Sequence, residues 1–234
     1  MSQIPLNKYY ARIYNRYDLV NRIFTLGLDR KWRRRTAKIC LETKPETILD
    51  LCCGTGDLAI ELARQTRDKI KITGYDFSPE MLALADKKTA SEKYPVEYIQ
   101  GDAAVMPFSS GKFDALTIGF GFRNLVFENE NSLQHLSEMN RVLKKEARLY
   151  ILESAVPRNN LIRFLYKLYL SVFLIPLGGI ISGNWKAYAY LARSSANFYS
   201  IREIKDLLYQ QGFELIRTDR FFMGAAHLIE AVKK

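Results

Sequence analysis

Apolar and polar positions change their period repeatedly along this chain. Short apolar runs fall at Thr47 to Cys52, Ile70 to Asp76, Val96 to Gly101, Phe113 to Gly119 and Arg148 to Ala155; their length and flanking turn residues predict strands. Between most of them apolar residues recur at helical spacing, at Asp57 to Gln65, Pro79 to Ser91 and Asn129 to Leu143. Ser78 before Pro79 and Glu80 reads as a helix start, because proline lacks an N–H that the first turn would leave unpaired anyway. Strand, helix, strand at this spacing predicts an α/β fold, a doubly wound and mostly parallel sheet with right-handed crossovers. Ligands of such sheets sit beyond the carboxyl ends of the strands, where strand order reverses.

The flanks follow a different pattern. Residues 7–41 read as helical throughout, with basic residues between the apolar ones. Residues 158–198 read as helices around a Pro-Gly interruption, FLIPLGGIISGNW, and Ile201 to Gln211 as an amphipathic helix. FELIRTDRFF and AHLIEAVKK then supply two late strands. The expected organisation is one domain over 1–234: a basic helical segment to residue 45, a cofactor-binding core over 46–156, a helical insertion over 157–200, and a final helix and strands. A length of 234 residues with 48% hydrophobic content suits one such unit with a core of its own.

Charge adds a partner to this picture. The formal net charge is +10, and it is divided unevenly. Residues 1–41 carry ten Lys/Arg against Asp18 and Asp29; residues 42–153 carry 14 basic against 18 acidic groups; residues 154–202 carry six basic groups and no acid. Basic flanks around a mildly acidic centre point to an anionic partner touched by the flanks, nucleic acid or membrane. No export leader is legible at the start, so a cytoplasmic location is expected. Three cysteines without a C-x-x-C spacing and two distant histidines, His135 and His227, predict neither a disulfide framework nor a metal site.

The candidate chemistry begins at ILDLCCGTGDLAIEL, Ile48 to Leu62. Gly54 and Gly56 allow close backbone approach to a ligand, with a helix behind them. Asp50 lies in the end of the first strand. Asp76 closes the second, where a carboxylate can accept both ribose hydroxyls. In QGDAAVMPF after the third strand, Asp102 suits an adenine amine, and Leu82, Ala103 and Met106 can wall a purine. Three carboxylates around one glycine turn serve a pyrophosphate poorly. They suit a cationic ligand with an adenosine and no phosphate, and S-adenosylmethionine is such a molecule.

GTGDLA with Asp76 and GDAAVMPF resembles the Rossmann-like S-adenosylmethionine-dependent methyltransferases in general. YDLVNRIFTLGLDRKWRRR, LDLCCGTGDLA, FDALTIGFGFRNL and YAYLARSSANF together resemble the ubiquinone/menaquinone biosynthesis C-methyltransferases. That resemblance implies a polyprenylated quinol as substrate and cofactor contacts at Thr55, Asp76, Asp102, Ala103 and Gly119. There are departures: Cys52 stands where methyltransferases in general have their first glycine, Gly119 where relatives often have serine, and Asp29 where many relatives have histidine.

Carbon methylation needs electron density on the ring carbon, which a quinol gains as a hydroxyl gives up its proton. Arg123, always cationic, can hold the oxyanion or polarise a water acting as base, and Asn124 can orient a ring oxygen. The acid-free segment fits the prenyl tail: Leu168 to Ile181 reads as an apolar lip or interfacial helix, too short and too broken to span a bilayer. Arg158, Arg163 and Lys167 would then face anionic head groups, giving reversible membrane association. Two rivals remain at this level. An RNA methyltransferase would use the basic flanks, but residues 162–181 are mostly aliphatic and no amino-methylation signature follows the fourth strand. A nicotinamide oxidoreductase would use GTGDLA and Asp76 and leaves the later motifs without a role.

Overall fold

The computed structural model describes residues 18–66, 70–90, 92–93 and 95–234. Residues 7–17 of the N-terminal helical reading lie outside these, as does Ser91. The strands are β1 Thr47–Leu51, β2 Lys71–Asp76, β3 Val96–Gln100, β4 Phe113–Gly119, β5 Leu143–Ser154, β6 Phe213–Phe221 and β7 Ala226–Lys233. They form one sheet in the order β3-β2-β1-β4-β5-β7-β6. Among the described strands, β7 runs opposite to the other six, so it pairs antiparallel with both β5 and β6. The order reverses between β1 and β4, which sets the ligand crevice at their carboxyl ends.

The helices are α1 Leu28–Glu42, α2 Asp57–Gln65, α3 Pro79–Thr89, α4 Phe122–Val126, α5 Ser132–Val142, α6 Asn160–Tyr169, α7 Ile175–Ser182, α8 Trp185–Ala196 and α9 Ile201–Gln210. Pleating divides the central strands between two cores. Leu49, Leu116, Leu149 and Ile151 pack with Leu136 and Met139 of α5 and Ile204 and Leu208 of α9. Ile48, Ile72, Ala115 and Tyr150 pack with Ala37 and Cys40 of α1 and Leu62 of α2. Strands covered on both faces read as continuous apolar runs, which is why they were legible. Ser78 accepts from the Met81 amide, capping α3 as its sequence implied.

Three elements differ from their expected form. The fifth strand starts five residues early: Leu143 pairs with Phe113, then the ladder jumps so that Arg148 pairs with Ala115. Glu146 takes a left-handed φ of 65° inside that excursion, hiding the strand's start among polar residues. The N-terminal helical run is interrupted by a turn at 25–27, where Gly27 has φ 73°.

The largest correction concerns the apolar segment. It is not broken at Pro176: helix runs from Asn160 to Ser182, 23 residues of mean hydropathy 1.8, long and apolar enough by those measures to cross a bilayer. A π-helical turn, Leu170–Leu174, precedes the proline. Its wider ring relieves the clash that a proline makes with the carbonyl four residues back. Gly178 and Gly179 are contacts rather than breaks, since a Cβ at either would enter the Tyr188 or Trp185 ring of α8. One face of this helix is held by the protein, through Leu170 and Leu174 against Val20 and Tyr188 and through the Tyr169 hydroxyl donating to the Phe24 carbonyl at 2.8 Å. The other face exposes Leu161, Phe164, Leu165, Leu168, Val172 and Phe173.

Candidate functional site

β1 leads into the glycine turn through Cys52, which holds a φ of 54° that glycine would adopt freely. The side chain is tolerated because Gly121 leaves it room; a Cβ at 121 would stand 2.5 Å from the Cys52 Cβ. Gly56 at φ 79° opens α2, and a Cβ there would meet Ala85 at 2.9 Å and the Tyr98 hydroxyl at 2.5 Å. Glycine at 56 thus sets how closely α2 approaches α3 and β3.

The crevice above this turn encloses about 540 Å³ and is lined by Asp50, Gly54, Thr55, Asp76, Asp102, Ala103, Gly119 and Asn124, among others. Of the residues expected to bind cofactor, only Gly56 lies behind the wall rather than in it. Leu82 and Met106 also lie behind it, buried in the core, and Met81 takes the wall position instead. That shift follows from α3's rotation, which the sequence spacing left open by one residue.

The three carboxylates differ in what they already hold. Asp76 Oδ2 accepts the Gly54 amide at 2.8 Å and Oδ1 the Ser78 amide at 3.0 Å, so this carboxylate ties the turn after β1 to the one after β2. Burial pushes its pKa up, and those amides partly offset the rise. Asp102 accepts the Ala104 amide at 2.9 Å and leaves 74% of its side chain open. Asp50 is fully buried; Thr117 donates to its Oδ1 at 2.7 Å, while Oδ2 has no hydrogen-bond partner. Burial pushes its pKa up to about 7, against the Thr117 hydroxyl, which lowers it. An orphaned carboxylate oxygen at the cavity wall suits a cationic donor.

Thr55 does not stand free. Its hydroxyl donates to Asp18 Oδ1 at 2.6 Å, and Lys88 bonds Asp18, Thr55 and Asp57 together. The basic flank is likewise partly neutralised from within, by Arg33 with Asp29 and by Arg34 with Glu61. Arg163 folds back onto the Pro157 and Arg158 carbonyls at 3.0 and 3.2 Å, which draws it away from the outward role expected of it.

A second cavity, about 330 Å³ and mostly apolar, adjoins the crevice. Phe24, Trp32, Tyr166, Tyr169, Leu191 and Phe222 line it, and Phe120 and Arg33 are common to both cavities. Phe120 stands at this partition with a left-handed φ of 63°, its ring 5.3 Å from the Arg33 guanidinium carbon. α4, a short helix the sequence reading missed, separates the two expected catalytic residues. Asn124 faces the crevice, whereas Arg123 turns into the apolar cavity.

Arg123 is 2% exposed and Glu153 not at all. One terminal guanidinium nitrogen of Arg123 donates to Ser194, while Nε has no hydrogen-bond partner and lies 3.8 Å from Glu153 Oε1. Tyr166, whose hydroxyl engages Ser195, completes the group, with its pKa pushed up by burial. Glu153 and Tyr166 were not anticipated. The acid closing YILES at the end of β5 was the one available signal, parallel to the acids that end β1 and β2. His135 lines the crevice with Nδ1 bonded to the Leu125 carbonyl at 2.9 Å.

A polar crevice rich in carboxylates thus shares a wall with an apolar cavity holding a guanidinium. The first can take a cationic adenosine-bearing molecule, and the second an apolar acceptor with an ionisable hydroxyl.

Comparison with known proteins shows the family. The model of the ubiE/COQ5 methyltransferase family matches residues 2–233. A demethylmenaquinone methyltransferase of Thermotoga maritima is 40% identical over 223 residues, covering 94% of this chain and 93% of its own. A ubiquinone/menaquinone biosynthesis C-methyltransferase of Geotalea uraniireducens is 38% identical, covering 91% and 89%. Among solved structures, a SAM-dependent methyltransferase from Aquifex aeolicus shares the fold at a TM-score of 0.57 and 20% identity, covering 81% of this chain and 82% of its own. With a family model spanning nearly its whole length, this chain belongs to the ubiE/COQ5 methyltransferases, enzymes that draw their methyl group from S-adenosylmethionine.

Proposed function

We propose that this enzyme methylates a ring carbon of a polyprenylated quinol in menaquinone or ubiquinone formation, as the names of its relatives describe for those proteins. The observation that carries the reading is the shared wall: an apolar cavity containing Arg123 meets the carboxylate-lined crevice across Phe120 and Arg33. When bound, the cofactor supplies an electrophilic methyl group on a cationic sulfur. Asp76 accepts from the ribose, Asp102 and Ala103 from and against the adenine, and Asp50 balances positive charge, while Gly54, Thr55 and Gly119 shape the floor and Gly56 seats α2 behind it. Arg123 stabilises the ring oxyanion in a dry site, where such charge pairing is strongest, and Asn124 orients the ring from the crevice side. The test is methyl transfer from labelled cofactor to a benzoquinol and a naphthoquinol, with the product mapped to the ring carbon. Failure on both sinks the reading.

Asp50 makes the affinity for the cofactor pH-dependent. The cationic ligand favours the ionised carboxylate, so binding should tighten as pH rises toward about 7, with release of a proton. The gain should approach about tenfold per pH unit below that point and level off above it. The sign for folding is opposite: with its folded pKa raised above the unfolded one, Asp50 favours the folded, unliganded protein at low pH, and that stability is lost as pH rises from the ordinary carboxylate range through about 7. Calorimetric titration of wild type and Asp50→Asn across this range checks the first claim. A wild-type affinity independent of pH would refute it.

The exposed apolar face of α6 and the π turn supports reversible contact of this cytoplasmic enzyme with an anionic membrane surface, from which a prenylated substrate can be collected. Charging that face with Phe164→Glu and Val172→Glu should lower sedimentation with anionic vesicles and slow methylation of a long-tailed quinol by about tenfold or more. A short-tailed quinol should react at nearly the normal rate, because the cavities lie behind the opposite face. Equal loss on both substrates would make this a structural surface.

A further inference from the structure

We infer that Glu153 is the proton acceptor for the substrate hydroxyl, working in the gap it forms with Arg123. This deepens the quinol reading and rests on it. Among the described residues Arg123 Nε–H has no hydrogen-bond partner, and Glu153 Oε1, with which it forms an ion pair, lies 3.8 Å away, too far for a hydrogen bond between them. Both line the apolar cavity. Nε and Oε1 are both buried, so a hydroxyl reaches them as the Ser154 hydroxyl swings off Oε1; it then accepts from Nε and donates to Oε1, satisfying each.

The carboxylate is held for this. Its Oε2 accepts the Arg123 amide at 3.0 Å, and its Oε1 accepts the Ser154 amide and hydroxyl, both at 2.8 Å. Ser154 also lines the cavity, and its hydroxyl can rotate away, which frees a lone pair on Oε1 for the substrate. The groups around Glu153 leave it as the proton acceptor. On α4 stands Arg123, a permanent cation. On α6 stands Tyr166, whose raised pKa keeps it a neutral donor. On α1, Asp29 and Arg33 line the same cavity but are paired with each other. On β7, His227 is the register partner of Glu153, but it does not line the cavity, and burial weakens its hold on a proton, lowering its pKa to about 4.

In the step itself the substrate O–H bond breaks, its electron pair stays on oxygen beside Arg123, and the proton goes to Oε1. The net charge in the cavity is unchanged, because the phenolate formed beside Arg123 replaces the carboxylate that takes the proton. Once the ring carbon has taken the methyl, its C–H bond breaks, the electron pair restores the aromatic ring and that proton re-forms the hydroxyl, so the one proton released overall is the one on Glu153, which passes it to solvent after the product leaves.

Glu153→Gln should lower kcat near neutral pH by about a hundredfold or more, the size of a lost general base. Its rate should then recover by about tenfold per pH unit as the medium ionises the quinol, while the wild-type rate stays level there. Cofactor affinity by calorimetry and the melting temperature report whether the variant is folded and loaded. A profile lowered equally at every pH would make Glu153 a structural support and overturn the role. If the variant does not fold, wild type decides. A nitrophenol probe that binds as its coloured phenolate should release no proton to buffer, measured by calorimetry in two buffers of different ionisation enthalpy. Release of one proton overturns the role. A wild-type enzyme that methylates no quinol removes the function and this role together; one that does, with an unaltered profile in the variant, removes the role alone.

Discussion

Arg123→Lys is expected to cut turnover by at least a hundredfold while the cofactor binds nearly as before. The guanidinium reaches Ser194 with one nitrogen and faces Glu153 with another, a planar fork that a single ammonium cannot reproduce. Lysine keeps the positive charge, so the buried Glu153 is not left alone and the fold should survive. What is lost is the donor aimed at the developing oxyanion, an effect of about 3 kcal/mol where such donors have been removed from other sites. Cofactor affinity should be spared because Arg123 lines the apolar cavity and not the crevice. Steady-state kinetics beside calorimetric titration decide the matter. Loss of turnover and affinity together, or of neither, would take Arg123 out of the reaction.

Asp76→Ala should damage both the cofactor site and the fold, and the two effects can be separated. Its oxygens accept the Gly54 and Ser78 amides, so alanine leaves two N–H groups without partners in a largely buried place. Each orphaned donor costs about 1–3 kcal/mol, and the relief of a desolvated carboxylate offsets part of that. A net loss near 2 kcal/mol corresponds to about 4–8 °C in melting temperature for a chain of this size. Cofactor affinity should fall by a further 1.5–3 kcal/mol or so, the range for hydrogen bonds to a charged acceptor. Melting without ligand gives the first quantity, and calorimetry below the melting range the second. Intact affinity in a destabilised protein would assign Asp76 to the turn alone. The reverse would assign it to the ribose alone.

Much of the sheet was legible in the sequence because its signals are local. A strand buried on both faces must be apolar through its length, and β1, β2 and β4 stand where the apolar runs stand. The cofactor crevice is local in the same sense. Asp50, Gly54, Thr55, Asp76, Asp102 and Ala103 all lie within a few residues of a strand's carboxyl end, and a parallel sheet brings those ends to one edge whatever the loops do. Errors there were few: Met81 takes the wall position expected of Leu82, and Gly56 and Met106 lie behind the wall.

The apolar cavity was decided only by tertiary structure. Its walls come from residues 21–33, 120–123, 153–154, 166–195 and 222–226, segments with no shared period or spacing. Residues so far apart meet because α1, α6 and α8 fold over the carboxyl edge of the sheet, and no local rule states where they cross. The sequence therefore showed Arg123 and Asn124 as neighbours on one ligand edge, whereas α4 turns them into different cavities. Pro176 makes the same point about energy. By itself it reads as a helix break, yet contact with α8 through Gly178 and Gly179, together with a π turn ahead of it, stabilises a helix that local preference alone would end.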